Sequence, residues 1–139
     1  MTNYDEKSCG IVLFREQEGE NLFLILHYPN GHWDLVKGHV EGTETEHETA
    51  ARELTEETGI ESFEFIEGYR EQISYEYMKS GKPSNKEVVF FLAKTEEKEV
   101  KVSHEHHDFL WLNFEDAMEK ITYDNAKNLL RKAKSFLQL

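Results

Sequence analysis

Between Gly38 and Glu61 the chain places eight glutamates against a single base, Arg52, a charge of −7 in 24 residues out of −12 for all 139. Such a segment resists folding unless it is solvated or neutralised by cations. Glu53, Glu56 and Glu57 stand at i, i+3 and i+4, so a helix stacks all three carboxylates on one face, where like charges destabilise it. Ala50, Ala51 and Leu54 supply an apolar stripe for the opposite side. Either Thr43 with Glu46 or Thr45 with Glu48 offers a capping box, and Gly59 stops the helix. Hard cations such as Mg²⁺ or Mn²⁺ relieve the repulsion, because they bind carboxylate oxygens and keep waters and phosphates as further ligands. Arg52 can hold one carboxylate by a planar, two-pronged contact. The bland alternative is a solvated acidic helix face.

The surrounding sequence reads mostly as strands. Cys9 to Phe14 and Asn21 to His27 flank a Glu-Gly turn, and Trp33 to Val36 follows the turn at Pro29, Asn30 and Gly31. Ser62 to Tyr77 is strand-like, with Ile73, Tyr75 and Tyr77 on one face. A loop over Lys79 to Lys86 returns to the strand Glu87 to Lys94, and Phe109 to Leu112 is another short strand. The apolar spacing of Ala126, Leu129, Leu130, Ala133 and Leu137 predicts a helix from about Asp124. Lys127, Arg131, Lys132 and Lys134 on that helix read as a solvated face. Mixed strands with one internal and one terminal helix predict an α+β fold, an α/β/α sandwich, in one domain spanning residues 1–139.

Other function classes are narrowed by composition. Cys9 is the only cysteine, which excludes an internal disulfide and a thiolate zinc site. The N-terminus does not read as a signal peptide, and the longest apolar run, Val88 to Ala93, is too short for a membrane span. A cytoplasmic protein is expected, as a monomer. The acidic balance disfavours long nucleic acid as a stable partner, which would need a basic footprint. It leaves room for a small, metal-chelated anion.

Gly38, Glu44, Arg52, Glu53, Leu54, Glu56, Glu57, Gly59 and Ile60 form a pattern of nine defined positions over 23 residues. This pattern resembles the signature of the Nudix hydrolases. The resemblance implies an α/β/α sandwich that cleaves a diphosphate bond in a nucleoside diphosphate derivative, using water and Mg²⁺ or Mn²⁺. It implies Glu56 and Glu57 as principal metal ligands, with the Gly38 carbonyl near the same ion. Glu53 becomes a further ligand or the water-activating base, Arg52 its orienting partner, and Glu44 a support for the loop. The chemistry agrees, since phosphoryl displacement needs neutralised non-bridging oxygens and a deprotonated water.

The resemblance reaches beyond this box. His32 and Trp33, Lys37 to Glu41, Gly68 and Tyr69, Tyr75, Lys82 and Pro83, and Ser103 to His106 look like the asymmetrical diadenosine tetraphosphate hydrolases, which split their substrate into ATP and AMP. Val36 stands where many relatives carry proline. Lys37, His39 and Lys82 are candidate cations for a polyphosphate, or ordinary surface residues. Tyr75 and Tyr123 are candidate platforms for adenine; their alternatives are sheet packing and a helix-start staple. Glu105 is read as an extra carboxylate for the metal site, or as a base. Other Nudix substrates (nucleoside triphosphates, ADP-ribose, an RNA 5′ end) and a non-catalytic nucleotide-binding module stay open, because the box handles the diphosphate and not the rest of the molecule.

Overall fold

The computed structural model describes residues 4–102 and 108–138. Strand β1 (Glu6–Gln17) turns at Glu18 and Gly19 into β2 (Glu20–His27), followed by the short strands β3 (Trp33–Asp34) and β4 (Val36–His39). Helix α1 (Glu46–Thr58) precedes the long hairpin of β5 (Glu64–Lys79) and β6 (Lys82–Lys94). Then come β7 (Asp108–Leu112), α2 (Phe114–Lys120) and α3 (Asp124–Leu137).

The strands form one mixed sheet in the order β3-β2-β1-β6-β5, with β4 also paired to β1 and β7 to β2. β1 and β6 pair in parallel at its centre. Both are covered on both faces, which is why they read as nearly continuous apolar runs. Val12, Phe14, Val88, Phe90 and Leu92 pack with Leu129, Leu130 and Ala133 of α3 and Ala117 of α2. Ile11, Leu13, Val89 and Phe91 pack with Ala50 and Leu54 of α1. The expected α/β/α sandwich is therefore present. Among the described residues, no helix is long and apolar enough to cross a membrane.

Three expectations need correction. Residues 79–86 are not an open loop: only Ser80 and Gly81 make the turn, both at positive φ (51° and 80°), as a type I′ hairpin requires. β6 consequently starts at Lys82, five residues before the expected Glu87. The stretch expected as one strand at Trp33 to Val36 is two, because the chain changes partner there, from β2 to β1. The seven-residue α2 was not expected, being too short to show a helical period. Its start is nonetheless capped by Asn113, whose side-chain oxygen accepts from the Asp116 N–H at 2.9 Å.

Candidate active site

Helix α1 begins at the second of the two candidate boxes. The Thr45 hydroxyl accepts from the Glu48 N–H at 3.1 Å, and the Glu48 carboxylate accepts from the Thr45 N–H at 2.8 Å. Gly59 closes the helix in the left-handed conformation (φ 76°). Ala50 and Leu54 are fully buried under the sheet, which fixes the rotation of α1 and aims its acidic face at β4.

Arg52 organises that face. Its Nε and Nη2 donate to the two oxygens of Glu44 at 2.7 and 3.0 Å, a bidentate pair. Nη1 donates to Glu53 Oε1 at 2.9 Å and to Glu56 Oε2 at 3.1 Å. Nη2 also donates to the His39 carbonyl at 2.8 Å, tying α1 to the end of β4. Glu44 further accepts from the Glu41 N–H at 3.0 Å and the Thr49 hydroxyl at 2.9 Å. These bonds, the Arg52 contact foremost, hold the Glu44 carboxyl down at about 2. The same contact pushes the Arg52 guanidinium above its ordinary value, so it stays charged. Glu44 thus clasps the loop before α1, as expected of it.

The other carboxylates differ in access. Glu57 is buried, at 5% exposure, whereas the Glu53 and Glu56 side chains are 15% and 58% exposed. Glu53 packs directly on the backbone of Gly38: a Cβ built there would lie 1.9 Å from Glu53 Cδ. Only glycine admits this approach, a reason for Gly38 that the spacing alone does not give.

Among the described residues, no three histidine, cysteine or carboxylate side chains already converge to metal-ligand distance. Arg52 draws Glu53 and Glu56 onto one nitrogen instead, and Glu105 lies outside the described residues. The donor set still fits a hard divalent cation. It is all oxygen, and the shared Arg52 Nη1 shows that the Glu53 and Glu56 carboxylates reach a common cationic point. Arg52 takes one oxygen of each, and the other remains for a metal ion.

Side chains alternate along a strand, so Lys37 and His39 point away from α1 while Gly38 faces it. Lys37 Nζ lies 3.3 Å from Asp34 Oδ2. Asp34 is itself 3% exposed and accepts the Leu35 N–H at 2.7 Å, which orients the lysine. On the same face Tyr75 of β5 stands opposite Lys86 of β6, which stands opposite Glu6 of β1. Lys86 makes no hydrogen bond or ion pair among the described residues. Its ammonium is pushed below the usual lysine range, first by burial and then by the Lys37 charge. Lys82, the candidate from sequence, is an exposed residue beside the hairpin turn, four residues and roughly 13 Å of strand from Lys86. Its position does not bring it to Lys37. Lys86, and not Lys82, stands opposite Tyr75.

An aromatic terrace borders this face. Tyr28 stacks on His32 with centroids 4.8 Å apart, and His32 meets Tyr123 at 5.3 Å. Trp33 stacks on His27 at 4.5 Å. The Trp33 N–H donates to Thr122 Oγ1 at 2.9 Å, and the Thr122 N–H returns to the Trp33 carbonyl at 3.1 Å. These bonds hold the start of α3 against β3. Tyr123 is 51% exposed, so it is no staple. Tyr75 is partly buried and packs on the core as well as bordering Lys86. Sequence reasoning missed Tyr28 entirely. Its hydroxyl donates to the Leu35 carbonyl at 2.6 Å, and burial, with Glu57, Asp34 and Glu53 nearby, pushes it well above the usual tyrosine range.

Known proteins share this sequence and fold. A family model described as "NUDIX domain" matches residues 6–133. The chain is 39% identical over 136 residues to an asymmetrical bis(5'-nucleosyl)-tetraphosphatase of Caenorhabditis elegans, covering 94% of this chain and 96% of the relative. It is 35% identical over 143 residues to the Rattus norvegicus protein of the same name, covering 94% and 95%. The structure superposes on a binary complex of a C. elegans Ap4A hydrolase with a TM-score of 0.85, at 37% identity, covering 96% of this chain and 98% of that one.

Proposed function

Since the chain belongs to the Nudix family, we propose that it is a metal-dependent pyrophosphohydrolase that splits diadenosine tetraphosphate with water into ATP and AMP. One observation carries this reading: at β4 two different surfaces meet. Gly38 touches the acidic face of α1 through Glu53, while Lys37 on the next residue faces the surface that carries Lys86 and Tyr75. β4 pairs with β1, and its other edge has no strand among the described residues. A polyphosphate laid along this edge reaches both the carboxylates and the cations.

Glu53, Glu56 and Glu57, with the Gly38 carbonyl, would hold Mg²⁺ or Mn²⁺. A bound divalent ion supplies charge neutralisation on the phosphate oxygens and a lowered pKa for the attacking water. Glu53, fixed through Oε1 by Arg52, presents Oε2 as a further ligand or as the acceptor of the water proton. Arg52 positions Glu53 and Glu56 without touching substrate. Glu105 is proposed as an additional carboxylate of the same centre. Lys37 and Lys86 neutralise phosphates beyond the cleaved bond, with His39 at the margin of their face and Lys82 outside this group. Tyr123 and Tyr75 offer rings to the two adenines, and such stacking contributes on the order of 1–3 kcal/mol per base.

The test is a panel of diadenosine tetraphosphate, ADP-ribose, nucleoside triphosphates and 5′-triphosphate RNA with Mg²⁺, followed by product chromatography. Equal amounts of ATP and AMP, abolished by chelator, are expected. Faster turnover of another member of the panel would replace the substrate, and full turnover in excess chelator would replace the mechanism.

A further inference from the structure

On the face that carries Lys37, Lys86 and Tyr75, the carboxylate of Glu6 collects four donor groups. Oε2 accepts from the Tyr77 hydroxyl and from Ser84 Oγ at 2.9 Å. Oε1 accepts from Lys79 Nζ at 3.1 Å and faces His39 Nε2 at 3.6 Å. These groups come from β4 and from both strands of the β5–β6 hairpin, and they enclose the Glu6 side chain to 12% exposure. The Tyr77 bond, followed by Lys79, holds the carboxyl at about 2, so it is an anion at every working pH.

Two hydroxyls, an ammonium and an imidazole around one anion form a receptor for a phosphate group as well as for a carboxylate. The receptor is also in line with the polyphosphate cations: Glu6, Lys86 and Tyr75 make one rung across β1, β6 and β5. His39 pairs with Ser8, two residues along from Glu6. A phosphate arriving beyond Lys86 would find the Tyr77 and Ser84 hydroxyls already donated to Glu6. It would be repelled by the carboxylate at short range and gain neither hydroxyl in exchange.

We propose that Glu6 is a specificity-determining residue whose carboxylate fills an anion subsite at the end of the face that carries Lys37 and Lys86 and so limits the length of phosphate chain accepted. This rests on the function proposed above. Glu6→Ala removes the internal anion and leaves Tyr77, Ser84, Lys79 and His39 to bind an additional phosphate.

Initial rates of the parent and Glu6→Ala are compared on diadenosine tetra-, penta- and hexaphosphate. The ratio of kcat/KM for penta- over tetraphosphate should rise about tenfold or more in the variant, through KM, while Glu6→Asp stays close to the parent. An unchanged ratio overturns the proposal, including the case where all three rates fall together, which is the signature of a merely structural residue. If the parent cleaves none of these compounds, the functional reading fails, and calorimetric titration with linear inorganic tripolyphosphate and pentapolyphosphate then decides this proposal alone. Pentapolyphosphate binding about tenfold tighter to Glu6→Ala, with tripolyphosphate little changed, supports the subsite, and equal binding of pentapolyphosphate overturns it. Should Glu6→Ala fail to fold by circular dichroism, the short polar Glu6→Ser, which also vacates the subsite, carries the same two readouts.

Discussion

Gly38 and Glu53 share a contact that leaves no room for a methyl group, since the added Cβ would fall 1.9 Å from Glu53 Cδ. The obstructing atom belongs to the end of a side chain, so Gly38→Ala should fold while Glu53 is forced from its place. A displacement of about 1 Å near the chemistry can lower a rate about a hundredfold. Turnover of diadenosine tetraphosphate by Gly38→Ala should fall by about that factor, with the circular dichroism spectrum preserved; near-parental turnover would show that the Glu53 position is immaterial. The tyrosines separate in the same way. Tyr123 is half exposed, whereas Tyr75 packs on the core. Tyr123→Ala should weaken dinucleotide binding by roughly ten- to a hundredfold at an unchanged melting temperature. Tyr75→Ala should lose both affinity and thermal stability. Titration and calorimetric melting of the two variants check this, and unchanged affinity in both would return the rings to packing.

At the scale of elements, α1 is anchored by charged clasps at its start. Besides Glu44 with Arg52, the Glu46 carboxylate accepts from Arg70 at 2.8 and 2.9 Å and from Lys7 at 2.7 Å. The carboxyls of Glu44 and Glu46 both lie at about 2 against an ordinary 4.5, Arg52 and Arg70 being the respective main causes. A lowered folded value means that the unfolded chain takes up the proton first as pH falls. Their contribution is therefore complete above about pH 4.5 and is lost on descending towards 2. Melting temperature should drop across that window. Glu44→Gln should melt lower than the parent at neutral pH and show a flatter acid dependence; a parallel acid profile would remove Glu44 from the account. Helix α1 was legible in the sequence because its caps, its apolar stripe and its carboxylates are all local. Asp34, Lys86 and Tyr28 were not, because each gains its role from neighbours that only sheet register supplies. The position of Lys82 has the same origin. A hairpin turn at Ser80 and Gly81 decides which lysine stands opposite Tyr75, and the apolar pattern does not begin until Val88.

For the whole molecule, the charge of −12 couples stability to the ion that the acidic face is proposed to bind. A ligand selective for the folded state at a hundredfold excess over its Kd stabilises by about 2.7 kcal/mol. Mg²⁺ should therefore raise the melting temperature beyond what NaCl of equal ionic strength achieves, and Glu57→Gln should lose most of that difference. Equal shifts with the two salts in the parent would reduce the metal effect to general screening. The parallel pairing of β1 with β6 has a consequence of another kind, for the order of events during synthesis. β1 is complete once residue 17 is made, but its partner ends at Lys94. At about 5–20 residues per second, the intervening 77 residues take roughly 4–15 s. Throughout that interval an apolar strand waits with one edge open, exposed to association with other nascent chains. The other edge is closed early, by β2 at Phe14 to Gln17 and by β4 at Ser8 to Ile11, so the vulnerability of this protein in the cell is concentrated on the side of β1 that only the distant β6 can close.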